Sequence, residues 1–586
     1  MIGLFLTPLI ALPAPGPQEG GGHQVQRLLR AMPDNAVAVL STAGWDEIRT
    51  RAAQNTWIQF TKDASWRALY ELFAEVIANN VDLDGIGIDP IEVASSIHGP
   101  VALGITNSRY GWEVCGLVDA GKQGGSFEDF FDLVWNEIEE LSPDRSILEH
   151  GGVTALLVDG LGGEMNLALF GVEGTFGFVA HEDPESIIDR VREIIDKLKG
   201  VEEDDGFLDT DAHDAASRGW PSPPALSVTL NGEVLFHTLS REMGEEALGV
   251  TTELGFLDVA WAYLNVDVGL GENLDFSIGL HIPHDTVIGD FADLLGPAPI
   301  GMLKRLPNAC SSLSLCNYDV AGAWQLCLEV LSSFTQEGYD NVLQGLQSAR
   351  DLWGFDLEEE LLLQFTGDFA SFSMPVPEGE IKNPLEQLGI EAEGVPALST
   401  AALASRDLFN ESGGFLVGLA DPYAVEDALE KLLMIAGVSG LVEEEDFQDY
   451  TCHSVGLDEQ SLMWSFTDDN LLCATSSTPL HNLLSRAEVD VADKSHLSRF
   501  HGVLAACGPE VGLVSISDTR TTIESTIGVM RLLAQMLPVT TGIPGLHDLS
   551  TLELPEKEVV GSYFQGTLIQ KISRTKDAVH FTFQAR

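Results

Sequence analysis

The stretch VTALLVDGLGGEMNLALFGVEGTFGFVA, residues 153–180, decides the fold class of this chain. It holds three apolar segments, at 153–158, 166–171 and 176–180, and glycine-containing turns separate them. Short segments rich in Val, Leu and Phe that are bounded by glycine are typical of β-strands. Because strands joined by such short turns pair antiparallel, the stretch predicts three neighbouring antiparallel strands.

Helical patterns flank these strands on both sides. The predicted helices are residues 65–78, 127–141 and 184–198, together with a short helix that begins at Asp89. Further strands are predicted at residues 36–40, 101–106, 113–119, 226–230 and 274–280. Antiparallel strands in runs, with helices between the runs, predict an α+β class, whereas a doubly wound parallel sheet would alternate strand and helix regularly.

The two halves of the chain carry similar short features in the same order. In each half an apolar strand leads into a helix with a tryptophan, Trp45 in the first half and Trp324 in the second. The other matching pairs are residues 32–34 and 306–308, 116–119 and 418–421, 165–170 and 461–466, and 187–190 and 483–486. Each match is weak alone, but their common order predicts a tandem duplication of one α+β unit.

The duplication defines the expected domains. Residues 24–296 form the first repeat and residues 297–586 the second, with the join at the breaker sequence Gly-Pro-Ala-Pro of residues 296–299. The second repeat carries an insertion at residues 375–413, which reads as a surface loop or lid. The acidic run at residues 202–214 is expected to be a solvated, mobile loop.

The N-terminal residues 1–23 are predicted to direct export. Residues 1–14 form an apolar run that ends in Pro-Ala, as in a signal peptide, and residues 15–22 have a Gly/Pro linker composition. The run is shorter than the roughly 20 residues that span a bilayer, and no later segment is long and apolar enough. We therefore expect a periplasmic or extracellular protein without a transmembrane helix.

The charge balance limits the partners. The chain has 31 basic and 90 acidic residues and a formal net charge of −59. Such a field repels nucleic-acid phosphates and anionic lipid headgroups, so neither is an expected partner, and it attracts cations and basic surfaces. The same charge also serves solubility or adaptation to a salty medium. The hydrophobic content of 45% is typical of a folded protein.

Seven cysteines occur, six of them in the second half, and no Cys-x-x-Cys pair is present. The simplest zinc and redox motifs are therefore absent from the sequence. An odd number leaves at least one cysteine unpaired within the chain. Disulfides remain possible in an exported protein, and their pairing stays open.

Asn80, Asp82 and Asp84 form the candidate metal site. They are followed by Gly85 and have the spacing at which a calcium-binding loop begins. The position that normally closes such a loop with Glu is Ile91, and the corresponding segment of the second half lacks the oxygen donors. A competing interpretation is a turn rich in Asn and Asp that caps the next helix. No other cofactor is indicated.

Three further patterns resemble motifs but are better explained as turns or strands. Residues 116–122 read GLVDAGK, but Gln123 stands where a phosphate-binding loop needs Ser or Thr. The two histidines of HIPHD at residues 281–285 lack a third ligand cluster. The Ser and Lys of SRTK at residues 573–576 lack the helix start that a Ser-Lys nucleophile uses. No catalytic residue is therefore identified.

The repeated opening resembles a loose group of uncharacterised exported bacterial proteins with a repeated α+β domain of unknown function. The resemblance rests on residues 32–34 with the following strand and Trp45, and on the Gly-x-Asp helix starts at Asp89 and Asp356. It extends over most of the chain and implies an exported envelope protein. It supplies no catalytic residues.

These observations predict a non-enzymatic exported protein, in the cell envelope or periplasm, that binds or scaffolds an unknown protein or small-molecule ligand. The ligand is expected in a groove between the two repeats, because domain interfaces are common ligand sites. Two alternatives stay open. One is a hydrolase with one degenerate repeat and residues 375–413 as a lid, and the other is a calcium-dependent adhesion protein.

Overall fold

A computed structural model provides the structure of the chain. It describes residues 21–63, 97–108, 111–120, 129, 131–132, 134–136, 145–161, 165–201, 204–220, 222–307, 310–375, 411–457, 460–486, 505–527 and 555–586. The chain divides into two compact units, the first ending at Thr286 and the second beginning at Val287. The calcium candidates Asn80, Asp82 and Asp84, the predicted helix 65–78 and most of the 375–413 insertion lie outside the described residues.

The first unit is built on one antiparallel sheet. Its strands are β1 (Ala38–Thr42), β2 (Val101–Ser108), β3 (Gly111–Asp119), β4 (Arg145–His150), β5 (Val153–Leu161), β6 (Met165–Val172), β7 (Thr175–His181), β8 (Leu226–Asn231), β9 (Trp261–Val268) and β10 (Leu274–His281). Its helices are α1 (Gly21–Ala31), α2 (Trp45–Ala53), α3 (Thr56–Thr61), α4 (Pro184–Leu198), α5 (Asp211–Ser217), α6 (Gly232–Glu242) and α7 (Glu245–Leu254). The strands pair in the order β10-β9-β8-β1-β2-β3-β7-β6-β5-β4.

The strands of the second unit also pair antiparallel. Its strands are β11 (Ser312–Asn317), β12 (Phe365–Pro375), β13 (Glu411–Leu419), β14 (Val442–Phe447), β15 (Tyr450–Leu457), β16 (Gln460–Phe466), β17 (Asn470–Ala474), β18 (Val511–Asp518), β19 (Thr567–Thr575) and β20 (Ala578–Ala585). Its helices are α8 (Val287–Asp293), α9 (Val320–Phe334), α10 (Gln336–Trp353), α11 (Pro422–Ile435), α12 (Ser477–Leu484) and α13 (Lys557–Tyr563). The strands pair in the order β20-β19-β18-β11-β12-β13-β17-β16-β15-β14.

The predicted α+β class is confirmed. The opening stretch forms β5, β6 and β7, and the β6–β7 turn places Glu173 and Gly174 at φ of 49° and 79°. A two-residue turn with positive φ at both positions fits the right-handed twist of the strands that it joins, which fixes their antiparallel pairing. Helices cover the sheet and supply the other half of each core.

Among the described strands, the two units share one order: β11 to β20 pair as β1 to β10 do. Tandem duplication stays our hypothesis, and the common order supports it. The order also permits a position in one unit to be compared with its topological equivalent in the other.

Each unit packs helices on its sheet through a periodic apolar face. In α4, Asp183 caps the N-terminus by accepting from Ser186 N at 3.0 Å. Its fully buried face carries Val191, Ile194 and Ile195, at the spacing of one helix side. This face packs with α1 and the strands to form the core of the first unit.

Within the predicted loop at residues 202–214, the described residues 204–214 do not form the solvated loop that their charge predicts. Residues 206–209 form a 3-10 helix, α5 follows, and Phe207 is only 1% exposed. The apolar residues within the run decide its structure: Ala212 and Ala215 are also buried, three residues apart on one face of α5. The charge of the run does not indicate this buried face of α5.

In the part of the chain that the structure describes, no helix has the length and apolar character needed to cross a membrane.

Candidate functional site

A groove between helix α11 and strands β14 to β16 is the candidate functional site. We call it the α11 groove. Its volume is about 200 Å³. The side chains that line it are Glu426, Leu429, Glu430, Leu433, Met434, Ser439, Val442, Glu444, His453, Trp464 and Phe466.

Helix α11 is anchored along one side and leaves the other side facing the groove. Asp421 caps its first turn, accepting from Tyr423 N at 3.1 Å and Ala424 N at 3.2 Å. Val425 and Ala428 are buried and pack the helix against the rest of the unit. The groove-lining residues of α11 recur every three or four positions, as one helix face does.

Strands β14, β15 and β16 bring three functional side chains into one row across the sheet. Glu444 pairs with His453, and His453 pairs with Trp464. The imidazole stacks on the indole, with ring centroids 5.5 Å apart and planes inclined by 15°. We call this set the Glu-His-Trp row.

Two carboxylates flank the imidazole. His453 Nε2 lies 3.9 Å from Glu426 Oε1 on α11, and Nδ1 lies 3.9 Å from Glu444 Oε1. Both distances exceed a hydrogen bond. The His453 imidazole makes no hydrogen bond to a described residue, although the residue is only 9% exposed.

The first unit has an apolar row at the equivalent place. Counted from the β4–β5 and β6–β7 turns, the row is Ile147, Leu156 and Leu169, which pair across the strands in that order. The same count from the β14–β15 and β16–β17 turns leads to the Glu-His-Trp row. One fold thus carries an apolar row in one unit and a polar, aromatic row in the other.

Aromatic residues cover Leu156 and Leu169 of the apolar row, whereas Ile147 is 64% exposed. Phe131 and Trp135 pack against a buried cluster that contains Leu156 and Leu169. The Phe131 ring lies 4.8 Å from that of Phe176. The fold therefore accepts close apolar packing at the positions of Leu156 and Leu169. At the equivalent positions the second unit has a cavity.

The α11 groove is negatively charged. Glu426, Glu430 and Glu444 line it, and none of the described lining residues is Lys or Arg. The nearest cation of α11, Lys431, is held by Asp427 and also lies 3.6 Å from Glu360. His453 is therefore the basic side chain of the groove lining, 3.9 Å from Glu426 and from Glu444. Trp464 and Phe466 line the same groove.

The thiols near the row are not nucleophiles. Burial raises the pKa of Cys473, which pairs with Trp464, to about 12. Burial, with a smaller contribution from Glu445, raises the pKa of Cys452 to about 11. A thiol reacts as the thiolate, so both stay inert near neutral pH. Carboxylates and aromatic rings that line one groove can attract a cation through charge and cation–π attraction.

The other sequence candidates fall elsewhere. The His281 imidazole accepts a hydrogen bond from Ala260 N at 3.1 Å, next to the ring of Trp261. Ser573 lies within β19 opposite His580, and Lys576 follows the end of that strand. Within the described ranges, no group of three or more His, Cys, Asp or Glu side chains could hold a metal ion.

All seven cysteines are free thiols in the structure, and Cys327 is exposed. Disulfide pairing, which the sequence left open, is absent from this conformation.

Sequence reasoning missed the residues of the α11 groove. One local signal was available: residues 442–447 read VEEEDF, an acidic strand that is unusual next to a core. The partners of this strand could not be read from the sequence, because cross-strand neighbours depend on register.

Comparison with known proteins gives little. The chain matches no family model, and no curated protein matches it. Two crystal structures of TP0453, forms III and I, align with a TM-score of 0.22 each, at 10% and 11% sequence identity. They cover 46% and 44% of this chain and 87% and 79% of TP0453. A TM-score this low establishes neither the fold nor the function of this chain.

Proposed function

We propose that this chain is a non-enzymatic, exported protein of the cell envelope or periplasm, and that it binds a cationic ligand in the α11 groove. The observation that carries the proposal is the Glu-His-Trp row, which replaces the apolar row of the first unit. Polar groups at a position where the fold accepts leucine cost stability, and such costs are typical of functional sites.

The groove specifies the chemistry of the ligand. Its carboxylates favour an ammonium or guanidinium group, and its aromatic and aliphatic walls favour an apolar body. A cavity of about 150 Å³ holds one benzene molecule, so the bound group has the size of an arylalkylamine or of one arginine side chain. Exposed apolar side chains next to the groove, Met434 at 69% and Leu462 at 54%, suit a larger partner that presents such a group.

Isothermal titration calorimetry of the full chain with phenethylamine tests the proposal. We expect binding of one phenethylamine per α11 groove and none of phenylacetate, which has the opposite charge. The double variant Glu426→Gln/Glu444→Gln should bind about tenfold more weakly, since one to two kcal/mol of charge interaction is lost.

The matched control is Glu443→Gln. Glu443 is on the same strand as Glu444 and pairs with Ser454, so its side chain starts on the opposite face. Its affinity should stay within about twofold of the parent. If Glu443→Gln weakened phenethylamine binding as much as the double variant does, the effect would come from the net charge of the protein. That result would contradict the proposal.

The hydrolase alternative is favoured by one observation, the convergence of His453, Glu426 and Glu444 in one unit only. Ser439 is the single hydroxyl residue of the groove lining, and no hydrogen bond joins it to His453 among the described residues. A His453→Gln variant distinguishes the two functions. Loss of hydrolysis of a cationic ester with unchanged phenethylamine affinity would favour an enzyme.

Export is the part of the proposal that rests on residues 1–23. N-terminal sequencing of the chain recovered from the periplasm or medium tests it. A mature chain that begins near residue 15 is the expected result, and an intact Met1 in the cytoplasm would contradict it.

A further inference from the structure

The first unit contains a second cavity, of about 170 Å³, between α1, strands β1 and β8, and α5. We call it the hydroxyl pocket. Leu29, Phe207 and Trp220 contribute to its apolar wall. Its polar lining includes the hydroxyls of Ser41 and Thr229 on the two strands and the amide of Gln26 on α1.

The side chains of Ser41 and Thr229 line the pocket and leave their hydroxyls available to a ligand. Ser41 is 8% exposed and Thr229 is 3% exposed, and neither hydroxyl makes a hydrogen bond within the described part of the chain. Their neighbour Ser227 is satisfied, donating to Asn265 Oδ1 at 2.7 Å. Two hydroxyls on one wall of a cavity, without a partner among the described residues, can each form a hydrogen bond to a ligand that enters the cavity.

The fold itself does not require these hydroxyls. Strands β8 and β18 each end in a residue that caps the next helix, Asn231 and Asp518. Counted back from these caps, Ser227 and Thr229 correspond to Val514 and Ile516. The partner of Ser227 on β1 is Ser41, and the partner of Val514 on β11 is Leu315.

In the second unit these positions form apolar core. Leu315 and Val514 are fully buried there, and Ile516 packs against them. The second unit thus fills the place at which the first unit has a cavity with hydroxyl groups. At the α11 groove the second unit has the polar residues and the first unit the apolar ones. Here the first unit has the polar residues, so the two polar sites lie at different places in the common fold.

The hydroxyl pocket is also uncharged. None of its fifteen lining residues is Asp, Glu, Lys or Arg, in a chain with 90 acidic residues. His213 on α5 is its only titratable lining residue, and its ring lies 6.0 Å from Phe207. Burial lowers the pKa of this imidazole, so it stays neutral and can donate or accept one hydrogen bond.

We propose that the hydroxyl pocket binds a neutral molecule of about one aromatic ring that carries a hydroxyl group, a phenol. The ring fits a cavity of this size, since a cavity of about 150 Å³ accepts benzene. The phenol hydroxyl donates to one strand hydroxyl and accepts from the other. This inference is independent of cation binding in the α11 groove.

Calorimetry of the full chain with phenol, toluene and benzoate tests the inference. We expect one phenol per chain with a dissociation constant of about 1 mM or below. Toluene should bind at least about tenfold more weakly, because it leaves the strand hydroxyls unpaired. Benzoate should not bind, since no cation lines the pocket.

The double variant Ser41→Ala/Thr229→Val keeps the volume nearly constant and removes both hydroxyls. It should fold, because the second unit holds apolar residues at these places, and a thermal melt checks this. Its phenol affinity should fall about tenfold, to that of toluene. The control Glu426→Gln/Glu444→Gln should bind phenol as the parent does.

Three results would overturn the inference: no phenol binding, equal affinity for phenol and toluene, or a double variant that binds phenol as tightly as the parent. Loss of phenol binding in the Glu426→Gln/Glu444→Gln control would place the phenol in the α11 groove instead.

Discussion

His453 stacks on Trp464 with ring centroids 5.5 Å apart, between the carboxylates of Glu426 and Glu444. The equivalent pair in the first unit is Leu156 and Leu169. Phe131 and Trp135 pack against the cluster that contains the leucine pair, whereas the His453–Trp464 pair lines a groove. This contrast within one chain is the basis of the proposed binding site. It also predicts how the free energy of unfolding changes when a residue of one unit is replaced by its equivalent from the other.

Replacing His453 by Leu should raise the free energy of unfolding by about 0.5–1 kcal/mol. The imidazole is buried without a hydrogen bond among the described residues, and leucine removes the cost of its desolvation. Urea denaturation measures the change. The reverse exchange, Leu156→His, should cost about 3 kcal/mol, because it places a polar ring in a dry cluster. A loss of more than about 1 kcal/mol in His453→Leu would mean that the ring is structural.

Gly206→Ala should destabilise the first unit by more than about 2 kcal/mol. Gly206 has φ of +55°, and an added Cβ would lie 2.2 Å from Arg30 O and 2.6 Å from Met32 O. The left-handed conformation alone costs about 1–2 kcal/mol. The control is Gly200→Ala, at φ of +67° with no atom within 4 Å. It should show the conformational cost only. Equal melting temperatures for the two variants would contradict the close contact.

Glu113→Gln should cost about 3 kcal/mol in urea denaturation. Glu113 is 5% exposed and accepts from Arg190 Nε at 2.7 Å and from Thr106 Oγ1 at 3.1 Å. Removing the carboxylate leaves the buried guanidinium partly uncompensated. The comparison is Asp189→Asn, which breaks an exposed pair with Arg192 and should change the stability by less than about 0.5 kcal/mol.

The stability of the first unit should fall in mild acid through His213. Burial, opposed by nearby Asp214, lowers the pKa of His213 from 6.5 in the folded chain. The unfolded chain therefore binds more protons below pH 6.5, so stability is complete above that pH and decreases as the pH falls towards the folded pKa. Thermal melts from pH 7.5 to 5 should show a smaller decrease for His213→Gln than for the parent. A variant at an exposed histidine, His237→Gln, should follow the parent.

One cysteine should react quickly with a thiol reagent in the native chain. Cys327 is exposed, whereas Cys115, Cys310, Cys452 and Cys473 are buried. Burial raises the pKa of Cys115 to about 12, which further suppresses its reaction. Native titration should detect Cys327 first and all seven thiols after denaturation. Fewer than seven thiols under non-reducing denaturation would reveal disulfides and contradict the free-thiol structure.

Much of the fold is local and could be predicted. The β5, β6 and β7 strands follow from apolar segments and glycine turns, and α4 follows from its cap, Pro184 and its apolar spacing. The predicted helix 184–198 has the observed bounds. The acidic run at residues 202–214 was predicted wrongly, because Phe207 and the alanines of α5 gain more from burial than the acids lose by lying on a folded surface.

The two candidate sites could not be predicted. Glu444, His453 and Trp464 meet only through strand register, and Ser41 and Thr229 come from strands that lie far apart in the chain. The calcium candidates Asn80, Asp82 and Asp84 stay a prediction, because they lie outside the described residues.

The α+β class follows from the sequence alone, because strand and helix periodicity and turn chemistry act between residues a few positions apart. The positions of the functional groups follow from the tertiary structure. Which side chains share a row, and whether a helix seals that row or leaves a cavity, depends on register and packing between distant segments. No local pattern encodes that dependence.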